Sequence, residues 1–145
     1  MIGLLQRVSQ ANVVVQKRVI AEIARGLVVF VAVERGDTET HATQLLGRLT
    51  GIRVFPDRDG RMNLNILEAR GSMLLVPQFT LAADTRKGNR PGFSGAAVRE
   101  EGSRLFEYLV VQAKKSETPV CAGEFGSEMQ VNISNEGPVT LWLRA

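Results

Sequence analysis

The feature that most constrains the fold is an unbroken run of seven apolar residues, Leu27–Val33, which is rich in β-branched side chains. A strand that is apolar at every position is typical of a strand buried on both faces of its sheet. The run is far shorter than the ~20 apolar residues that a membrane-spanning helix needs. A second run, Met73–Phe79, has the same character but contains Pro77. Because proline has no N–H to donate to a neighbouring strand, we expect this strand to leave the sheet, or to lie at its edge, at that residue.

Shorter segments rich in valine and isoleucine predict the remaining strands. Three of them lie near the N-terminus and are separated by few residues, so we expect tight turns between them. They are Leu4–Val8, Asn12–Gln16 and Val19–Ile23. Later strands are predicted at Ile52–Phe55, Met129–Ser134 and Val139–Leu143, with Asn135–Pro138 as a turn between the last two.

Two segments have helical periodicity. Thr38 suits a helix start, apolar residues recur at helical spacing after it, and Gly51 ends the pattern. A longer amphipathic helix is predicted at Ala97–Lys115, with an apolar stripe of Val98, Leu105, Leu109 and Ala113. Mostly antiparallel strands with two main helices indicate an α+β fold (mixed α/β) with a barrel-like sheet. A chain of 145 residues is the size of one ordinary domain, so we expect residues 1–145 to form a single domain.

The single histidine and the single cysteine of the chain limit its catalytic chemistry. One cysteine cannot form an internal disulfide, and one histidine cannot form a His-pair metal site. His41 lies near the start of the first predicted helix and is interpreted as an exposed helix residue, and Cys121 as a buried, inert thiol. Asp57 and Asp59 are interpreted as turn residues, because two carboxylates alone do not form a calcium loop. We therefore expect no metal, no cofactor and no Ser-His-Asp or Cys-His site.

The net charge permits a polyanionic partner without requiring one, because 18 Lys and Arg against 15 Asp and Glu give +3. Three of the cations, Arg86, Lys87 and Arg90, lie in a polar loop predicted between Ala83 and Ser94. They are candidates for phosphate contacts, and the equally open alternative is a solvated loop. The N-terminal residues lack the basic and apolar regions of a signal peptide, so we expect a cytoplasmic protein without a membrane segment.

Two short segments are not explained by the fold alone. Gln78 and Thr80 place an amide and a hydroxyl at the end of a buried strand, a position where sites are often built. Gly137-Pro138 is a suitable place for a cis peptide, because the cis form of an X–Pro bond costs only about 0.5–1 kcal/mol. A cis Gly-Pro would present two backbone carbonyls in one direction. Each signal is weak alone, since a Gly-Pro pair is usually only a turn.

Taken together, these segments resemble the signatures of a known family. Residues 77–85, followed by Arg90–Ser94, resemble the first signature of the D-aminoacyl-tRNA deacylases, and Asn135–Thr140 resembles the second. Further stretches fit the same family in the same order. They are Gln6–Val8, Arg53–Phe55, Gly60–Asn65, Gly123–Gly126 and Met129–Val131. The resemblance spans the whole chain.

The resemblance implies an enzyme that hydrolyses the ester between a D-amino acid and the terminal adenosine of tRNA, and that also removes glycine misattached to alanine tRNA. It implies tRNA as the partner, no DNA, no cofactor, and a homodimer with its active sites at the subunit interface. In the family, the peptide bond that matches Gly137-Pro138 is cis. The resemblance implies that this pair reaches into the active site of the other subunit. There it is implied to bind the α-amino group of the substrate and to exclude L-amino acids. Arg7 matches the arginine that orients this segment, and Phe125 and Met129 match the border of the adenine pocket.

The same resemblance places the catalytic residues at Gln78, Phe79 and Thr80. We expect the backbone N–H groups of Gln78 and Phe79 to polarise the ester carbonyl, as an oxyanion hole does. Thr80 then has a positioning role, and the attacking group is the terminal ribose hydroxyl of the RNA, or water placed by it. The alternative in which Thr80 is the nucleophile stays open.

One residue departs from the family pattern, because Pro77 stands where the family usually has serine. An animal branch that acts on L-alanine misattached to tRNA commonly has proline there, but it has alanine in place of Phe79. Phe79 and the second signature therefore favour the D-specific group. Two other hypotheses are a non-catalytic tRNA- or RNA-binding domain of the same fold and a hydrolase of free D-amino acid esters. The second leaves the three loop cations unexplained.

Overall fold

The computed structural model describes residues 1–86 and 88–145. Eight strands and two helices follow one another along this part of the chain. The strands are β1 (Ile2–Val15), β2 (Arg18–Ile23), β3 (Gly26–Ala32), β4 (Phe55–Pro56), β5 (Met62–Leu64), β6 (Ser72–Pro77), β7 (Val120–Ala122) and β8 (Gln130–Arg144). The helices are α1 (Glu39–Gly51) and α2 (Arg99–Ala113), and a short 3₁₀ helix spans Phe79–Ala82.

Six of the strands form one mixed, nearly closed sheet. Its order is β2-β1-β3-β6-β7, and β8 also pairs with β1. β1 is antiparallel to β2, β3 and β8, whereas the β3–β6 and β6–β7 pairs are parallel. This sheet and the two helices confirm the predicted α+β architecture. The parallel pairing brings the carboxyl ends of β3 and β6 together at one end of the sheet.

The strands β3 and β6 are buried on both faces, as their apolar runs predict. Leu27 and Val29 of β3 pack into a core between the sheet and the helices, to which Leu45 of α1 and Leu105 of α2 contribute. The intervening Val28 enters a second core, inside the curled sheet, together with residues of β1, β2 and β6. Because successive side chains of a strand point to opposite faces, one apolar run fills two cores.

Both helices lie close to their predicted positions. Thr38 is the N-cap of α1, and its N–H donates to Nδ1 of His41 at 3.0 Å in a capping box. α2 begins at Arg99, and the exposed Val98 is its N-cap rather than part of the apolar stripe. In residues 1–86 and 88–145, neither helix is long and apolar enough to cross a membrane.

The prediction of separate strands at Leu4–Val8 and Asn12–Gln16 is wrong, because β1 continues without a turn between them. The pairing with β8 is maintained on both sides of this point. The other neighbour of β1 changes there, from β3 along the first half to β2 along the second. The two halves thus lie in different surroundings although the backbone is one strand.

The segment Asn135–Pro138 is not a turn between two strands either. β8 continues through it, and both halves of β8 pair antiparallel with β1. Gln6 pairs with Thr140 and Val8 with Asn135, so residues 136–139 lie opposite Arg7 alone. The segment is therefore a large bulge within one strand, which we call the Gly-Pro bulge (Glu136–Val139).

The bounds of the strands β4 and β6 can also be compared with their predictions. The strand predicted at Ile52–Phe55 begins only at Phe55, as β4. Pro77 is the last residue of β6, and the pairing of β6 with β7 has already ended at Leu75. The expectation that β6 lies at an edge of the sheet at Pro77 is confirmed.

Candidate active site

A cavity of about 620 Å³ opens at the carboxyl ends of the parallel strands β3 and β6. Ligand sites are common at the carboxyl ends of parallel strands, because the chain leaves the sheet there and exposes backbone groups. Most of the walls are apolar. They include Val31, Val76, Gln78, Phe79, Phe125 and Met129, so the cavity gathers four of the residues predicted for the site.

The predicted catalytic segment begins where β6 ends. The N–H of Gln78 donates to the carbonyl of Val31 at 2.7 Å, which extends the sheet by one residue beyond Pro77. The 3₁₀ helix follows at once, and the Nε2 amide of Gln78 donates to Oγ1 of Thr80. Phe79 and Thr80 are exposed, whereas Gln78 is half-buried. The hydrogen bond to Val31 thus fixes the backbone of Gln78 at the end of the strand, and the Gln78 side chain orients the Thr80 hydroxyl.

The backbone donors of this segment differ from the expectation. The N–H of Gln78 is engaged by Val31 in the sheet, so it is not available to a ligand in this conformation. Along the described residues, the N–H groups of Phe79 and Thr80 have no backbone acceptor. Both lie at the start of the 3₁₀ helix, where the first N–H groups have no partner within the helix. Of the predicted pair of donors, the N–H of Gln78 is thus excluded in this conformation, and the N–H of Phe79 is without a backbone acceptor among the described residues.

Two phenylalanines form one side of the cavity. The rings of Phe79 and Phe93 lie 5.2 Å apart at an angle of 58°, a tilted geometry that aromatic pairs favour. The loop that carries Phe93 is closed by a bridge between Asp84 and Gly92. Phe79 is nevertheless 54% exposed, which is unusual for an aromatic side chain of this size and leaves apolar surface free at the cavity.

The opposite wall is formed by the segment after β7 and by α2. Phe125 packs against Phe106 of α2 with 6.3 Å between ring centroids. Gly102 leaves room for that contact, because a Cβ at Gly102 would lie 3.2 Å from Cζ of Phe125. Gly123 does the same for Met129, whose Sδ would lie 2.8 Å from an added Cβ. Two glycines thus allow Phe125 and Met129 to line the cavity closely.

The Gly-Pro bulge is not part of this cavity. Its peptide bond between Gly137 and Pro138 is cis, both residues are exposed, and neither lines the cavity of the same chain. The following residue, Val139, is buried in the core. The bulge is therefore anchored at its base and projects into solvent at its tip.

Three side chains hold the bulge in place. Arg7 donates through Nε to the carbonyl of Glu136 at 2.9 Å and through Nη1 to the carbonyl of Val54. Asn135 donates through Nδ2 to the carbonyl of Arg7 at 3.0 Å. Arg25 forms a two-pronged ion pair with the Glu136 carboxylate, at 3.0 and 3.2 Å. Its hydrogen bonds are the main cause that lowers the pKa of Glu136 below the usual carboxyl range.

Arg25 is a residue that the sequence interpretation missed. Besides its ion pair, its guanidinium lies 5.3 Å from the centroid of the buried Phe55 ring, within cation–π range. Nothing in the local sequence distinguishes Arg25 from a surface arginine. The signal becomes visible only through the pairing of strands, which places Gly26 beside Val8 and Val8 beside Asn135.

The bulge and the cavity lie at opposite ends of the strand pair β3–β6. Val8 pairs with Gly26, which pairs with Ser72 at the start of β6, whereas Val31 pairs with Pro77 at its end. The interval from Gly26 to Val31 corresponds to roughly 16 Å along a strand. One copy of the chain therefore does not bring its own Gly137-Pro138 to its own Gln78.

The cations of the polar loop are only partly available. Arg86 forms a two-pronged contact with Asp84 at 2.9 and 2.7 Å, and these hydrogen bonds lower the pKa of the Asp84 carboxyl far below its usual range. Arg90 is exposed, and Lys87 lies outside the described residues. Of the three predicted phosphate contacts, Arg86 thus already has a carboxylate partner.

The remaining candidate residues have structural roles. His41 is half-buried rather than exposed and caps α1, and the half-buried Cys121 donates its Sγ–H to the carbonyl of Glu22 at 3.6 Å. Asp57 accepts from the N–H groups of Asp59 and Arg61 in a turn. Over the described ranges 1–86 and 88–145, no three His, Cys, Asp or Glu side chains are grouped so that they could hold a metal ion.

Comparison with known proteins connects this geometry to a family. Residues 4–144 match the family model described as D-Tyr-tRNA(Tyr) deacylase. A D-aminoacyl-tRNA deacylase of Janthinobacterium sp. (strain Marseille) is 50% identical over 99% of this chain and 97% of its own. The corresponding deacylase of Alkalilimnicola ehrlichii is 52% identical over 100% and 97%.

Solved structures agree with these relatives. The structure of a "c-Myc DNA Unwinding Element Binding Protein" superposes with a TM-score of 0.95 and 32% identity, covering 100% of this chain and 99% of that one. A second structure, of "a probable eukaryotic D-amino acid tRNA deacylase", has a TM-score of 0.82 over 99% and 98%, and at 19% identity it supports the fold alone. With its family match, its relatives and its fold in agreement, the chain belongs to the D-Tyr-tRNA(Tyr) deacylase family and is an enzyme that hydrolyses the ester of D-aminoacyl-tRNA.

Proposed function

We propose that each active site is built from two copies of this chain, the cavity of one copy and the Gly-Pro bulge of the other. The observation that carries the proposal is the roughly 16 Å along β3 that separates the two signatures within one chain. Both parts have the form that a shared site requires. The cavity is open and largely apolar, and the tip of the bulge is exposed while its base is tied to Arg7 and Arg25.

The bulge excludes L-amino acids in this proposal, because the substrate meets backbone there rather than a side chain. Backbone atoms exclude the L-enantiomer whatever side chain the substrate carries, so one enzyme can act on many D-amino acids. Gly137 has no space for a side chain of its own, since an added Cβ would lie 2.1 Å from Oδ1 of Asn135. Glycine has no side chain to collide with this wall, which is why glycyl-tRNA, including glycine misattached to alanine tRNA, is also a substrate.

Hydrolysis in this site relies on backbone donors and on the RNA. The N–H groups of Phe79 and Thr80 polarise the ester carbonyl, because they have no acceptor along the described backbone. The terminal ribose hydroxyl, or a water that it places, attacks the carbonyl carbon. The Thr80 hydroxyl accepts a hydrogen bond from the Gln78 amide and has no carboxylate or histidine as a hydrogen-bond partner among the described residues. Without a base to remove its proton, Thr80 positions the substrate rather than attacking it.

The terminal adenosine occupies the far wall of the same cavity. Phe125 and Met129 supply the apolar surface there, with Phe125 supported by Phe106. A cavity of about 620 Å³ lies within the size range of small-molecule sites. The remainder of the tRNA stays outside, where the exposed Arg90 is available for phosphate contacts. A tRNA substrate is consistent with the cytoplasmic location that the sequence predicts.

Deacylation of a matched set of D-, L- and glycyl-tRNAs tests the activity. We expect rapid release of D-amino acids and of glycine, and no release of L-amino acids. Release of L-alanine without release of D-tyrosine or D-aspartate would assign the chain to the L-alanine branch instead. Tight tRNA binding without any hydrolysis would favour the non-catalytic alternative.

Mixing of two inactive variants tests the shared site. The variant Phe79→Ala damages the cavity, and Gly137→Ala damages the bulge. If each site takes its two parts from different copies, a mixed dimer has one site with both defects and one intact site. We therefore expect activity to return on mixing, up to about half of the wild-type rate per mixed dimer. If the two parts came from the same copy, both sites would carry a defect and no activity would return.

A further inference from the structure

The wall of the cavity that α2 forms contains a charged residue with no assigned role. Arg99, Gly102 and Phe106 all line the cavity and lie three and four residues apart on α2. Residues at this spacing share one face of a helix. Phe106 packs against Phe125 and Gly102 leaves space for the Phe125 ring, so the helix face that supports Phe125 also carries a guanidinium.

The guanidinium of Arg99 lies next to Gly126. Gly126 has a φ of +80°, and an added Cβ would lie 2.6 Å from Nη2 and 3.3 Å from Cζ of Arg99. The arginine therefore lies over the backbone of Gly126, directly after Phe125 in the chain. A side chain at Gly126 would displace it, since both the conformation and the space favour glycine at this residue.

Arg99 forms no ion pair with the described residues. Across residues 1–86 and 88–145, ion pairs engage Arg25, Arg86, Arg104 and Arg144, but not Arg99. Glu128 also lines the cavity and forms no ion pair with Arg99 in that part of the chain. Arg99 is thus the one cation among the described residues that line the cavity.

We propose that Arg99 binds the phosphodiester that joins the 3′-terminal adenosine of the tRNA to the preceding nucleotide. The inference rests on the proposed function, in which the adenine lies against Phe125 and Met129. The 5′ carbon of that ribose carries the phosphate, so an adenosine held at Phe125 directs an anion toward the neighbouring Gly126 and Arg99. A planar guanidinium with several N–H donors suits a phosphate better than any other side chain.

A pair of substrates that differ in this phosphate provides the test. The first is D-aminoacyl-tRNA, and the second is 3′-D-aminoacyl-adenosine, which has the same ester and base but no phosphate. We expect Arg99→Gln to lower kcat/KM for the tRNA by roughly tenfold to a hundredfold, the usual effect of losing a charged hydrogen bond. The loss resides in KM, and Arg99→Lys recovers part of it. The nucleoside ester reacts equally well with both proteins, within about twofold.

Two controls make the result specific. Arg104→Gln removes the same charge from the same helix, but Arg104 pairs with Glu101 and Glu39 and does not line the cavity, so both substrates should be unaffected. Binding of adenosine 5′-monophosphate, compared with adenosine, provides a readout without catalysis. We expect the preference of the wild-type protein for the monophosphate to disappear in Arg99→Gln.

The failures of the two proposals are distinguishable. Equal losses with both substrates, or no loss with the tRNA, would overturn the role of Arg99 while leaving the deacylase activity intact. A wild-type protein that hydrolyses neither substrate would overturn the proposed function, and the monophosphate comparison would still decide whether Arg99 binds a phosphate. Thermal unfolding of each variant identifies any loss that results from misfolding.

Discussion

The cavity and the Gly-Pro bulge lie at opposite ends of the same pair of strands, and they are built in opposite ways. The cavity has mostly apolar walls and a 54% exposed Phe79, so it presents a surface that a ligand can cover. The bulge is anchored in the core through Val139, and its other residues are held by Arg7, Arg25 and Asn135. The first arrangement suits binding of varied side chains, and the second suits a wall that must not move. The proposed function assigns chiral selection to the region that these three side chains hold.

The largest effect is expected from a change at the tip of the bulge. In Gly137→Ala, the new Cβ would lie 2.1 Å from Oδ1 of Asn135, so the Asn135 side chain, which helps to hold the bulge, must move. Displacement of a reacting group by about 1 Å costs on the order of a hundredfold, and we expect at least that loss in kcat/KM for D-aminoacyl-tRNA.

Gly47→Ala is the matched control for that variant. Gly47 lies within α1, and an added Cβ meets no atom within 4 Å. We expect unchanged activity and a gain of about 0.5–1 kcal/mol in the free energy of unfolding, because alanine loses less entropy than glycine in a helix. Unaltered activity of Gly137→Ala would show that the bulge is not a wall.

A smaller effect is expected in the cavity at Thr80. Thr80→Ala removes one hydroxyl that accepts from the Gln78 amide, and it retains both backbone N–H groups. We expect kcat to fall by roughly twofold to tenfold, the effect of one neutral hydrogen bond. Single-turnover kinetics with saturating enzyme measure this, with Thr80→Ser as the control. A loss of several orders with unchanged substrate binding would instead identify Thr80 as the nucleophile.

The ion pair below the bulge should have a weaker influence. Arg25 and Glu136 are 43% and 33% exposed, so their coupling is limited to about 0.2–1 kcal/mol. A double-mutant cycle with Arg25→Gln and Glu136→Gln measures that coupling through the ratio of D- to L-aminoacyl-tRNA hydrolysis. We expect each single variant to relax this ratio up to about fivefold, and the double variant to add little. Fully additive effects would show that the pair does not position the bulge.

The smallest effect concerns pH. Arg25 lowers the pKa of Glu136, so the carboxylate stays ionised, and the pair stays formed, at every pH above the usual carboxyl range. The contribution of the pair to stability is lost only as the pH falls through that lowered pKa. We expect the D-to-L ratio to be constant from neutral pH down to about pH 5 and to relax only in stronger acid. Glu136→Gln should lack this acid dependence.

The sequence predicts the buried frame of the molecule better than its functional contacts. Strands can be predicted at Leu27–Val33 and Met73–Phe79, because burial on both faces requires an apolar residue at every position. Asn135–Pro138 has the composition of a turn, yet it is a bulge, because the pairing of both flanks with β1 outweighs local preference. The partner strand β1 lies more than a hundred residues earlier in the chain, so the local sequence of Asn135–Pro138 does not show that this pairing will form.

In the site, too, some residues can be predicted from the sequence and others cannot. Gln78, Phe79, Phe125 and Met129 were predicted through resemblance, and the structure gathers them around one cavity. Arg25 and Arg99 were not predicted, since an arginine that supports a bulge looks in sequence like any solvated arginine. The N–H of Gln78 could not be assigned either, because its engagement with Val31 depends on how far the parallel pairing of β3 and β6 extends.

The register of β3 has a consequence for the geometry of a pair of chains. One end of this strand adjoins the residues that hold the bulge, and the other end forms the floor of the cavity. A fully paired strand hardly stretches, so in the proposed shared site β3 acts as a fixed spacer between the bulge that a copy contributes and the cavity that receives its partner's bulge. In a symmetric pair the two spacers set the separation of both sites together. A single residue inserted into β3 would lengthen the spacer and turn every side chain after it to the opposite face, so both sites would be lost at once.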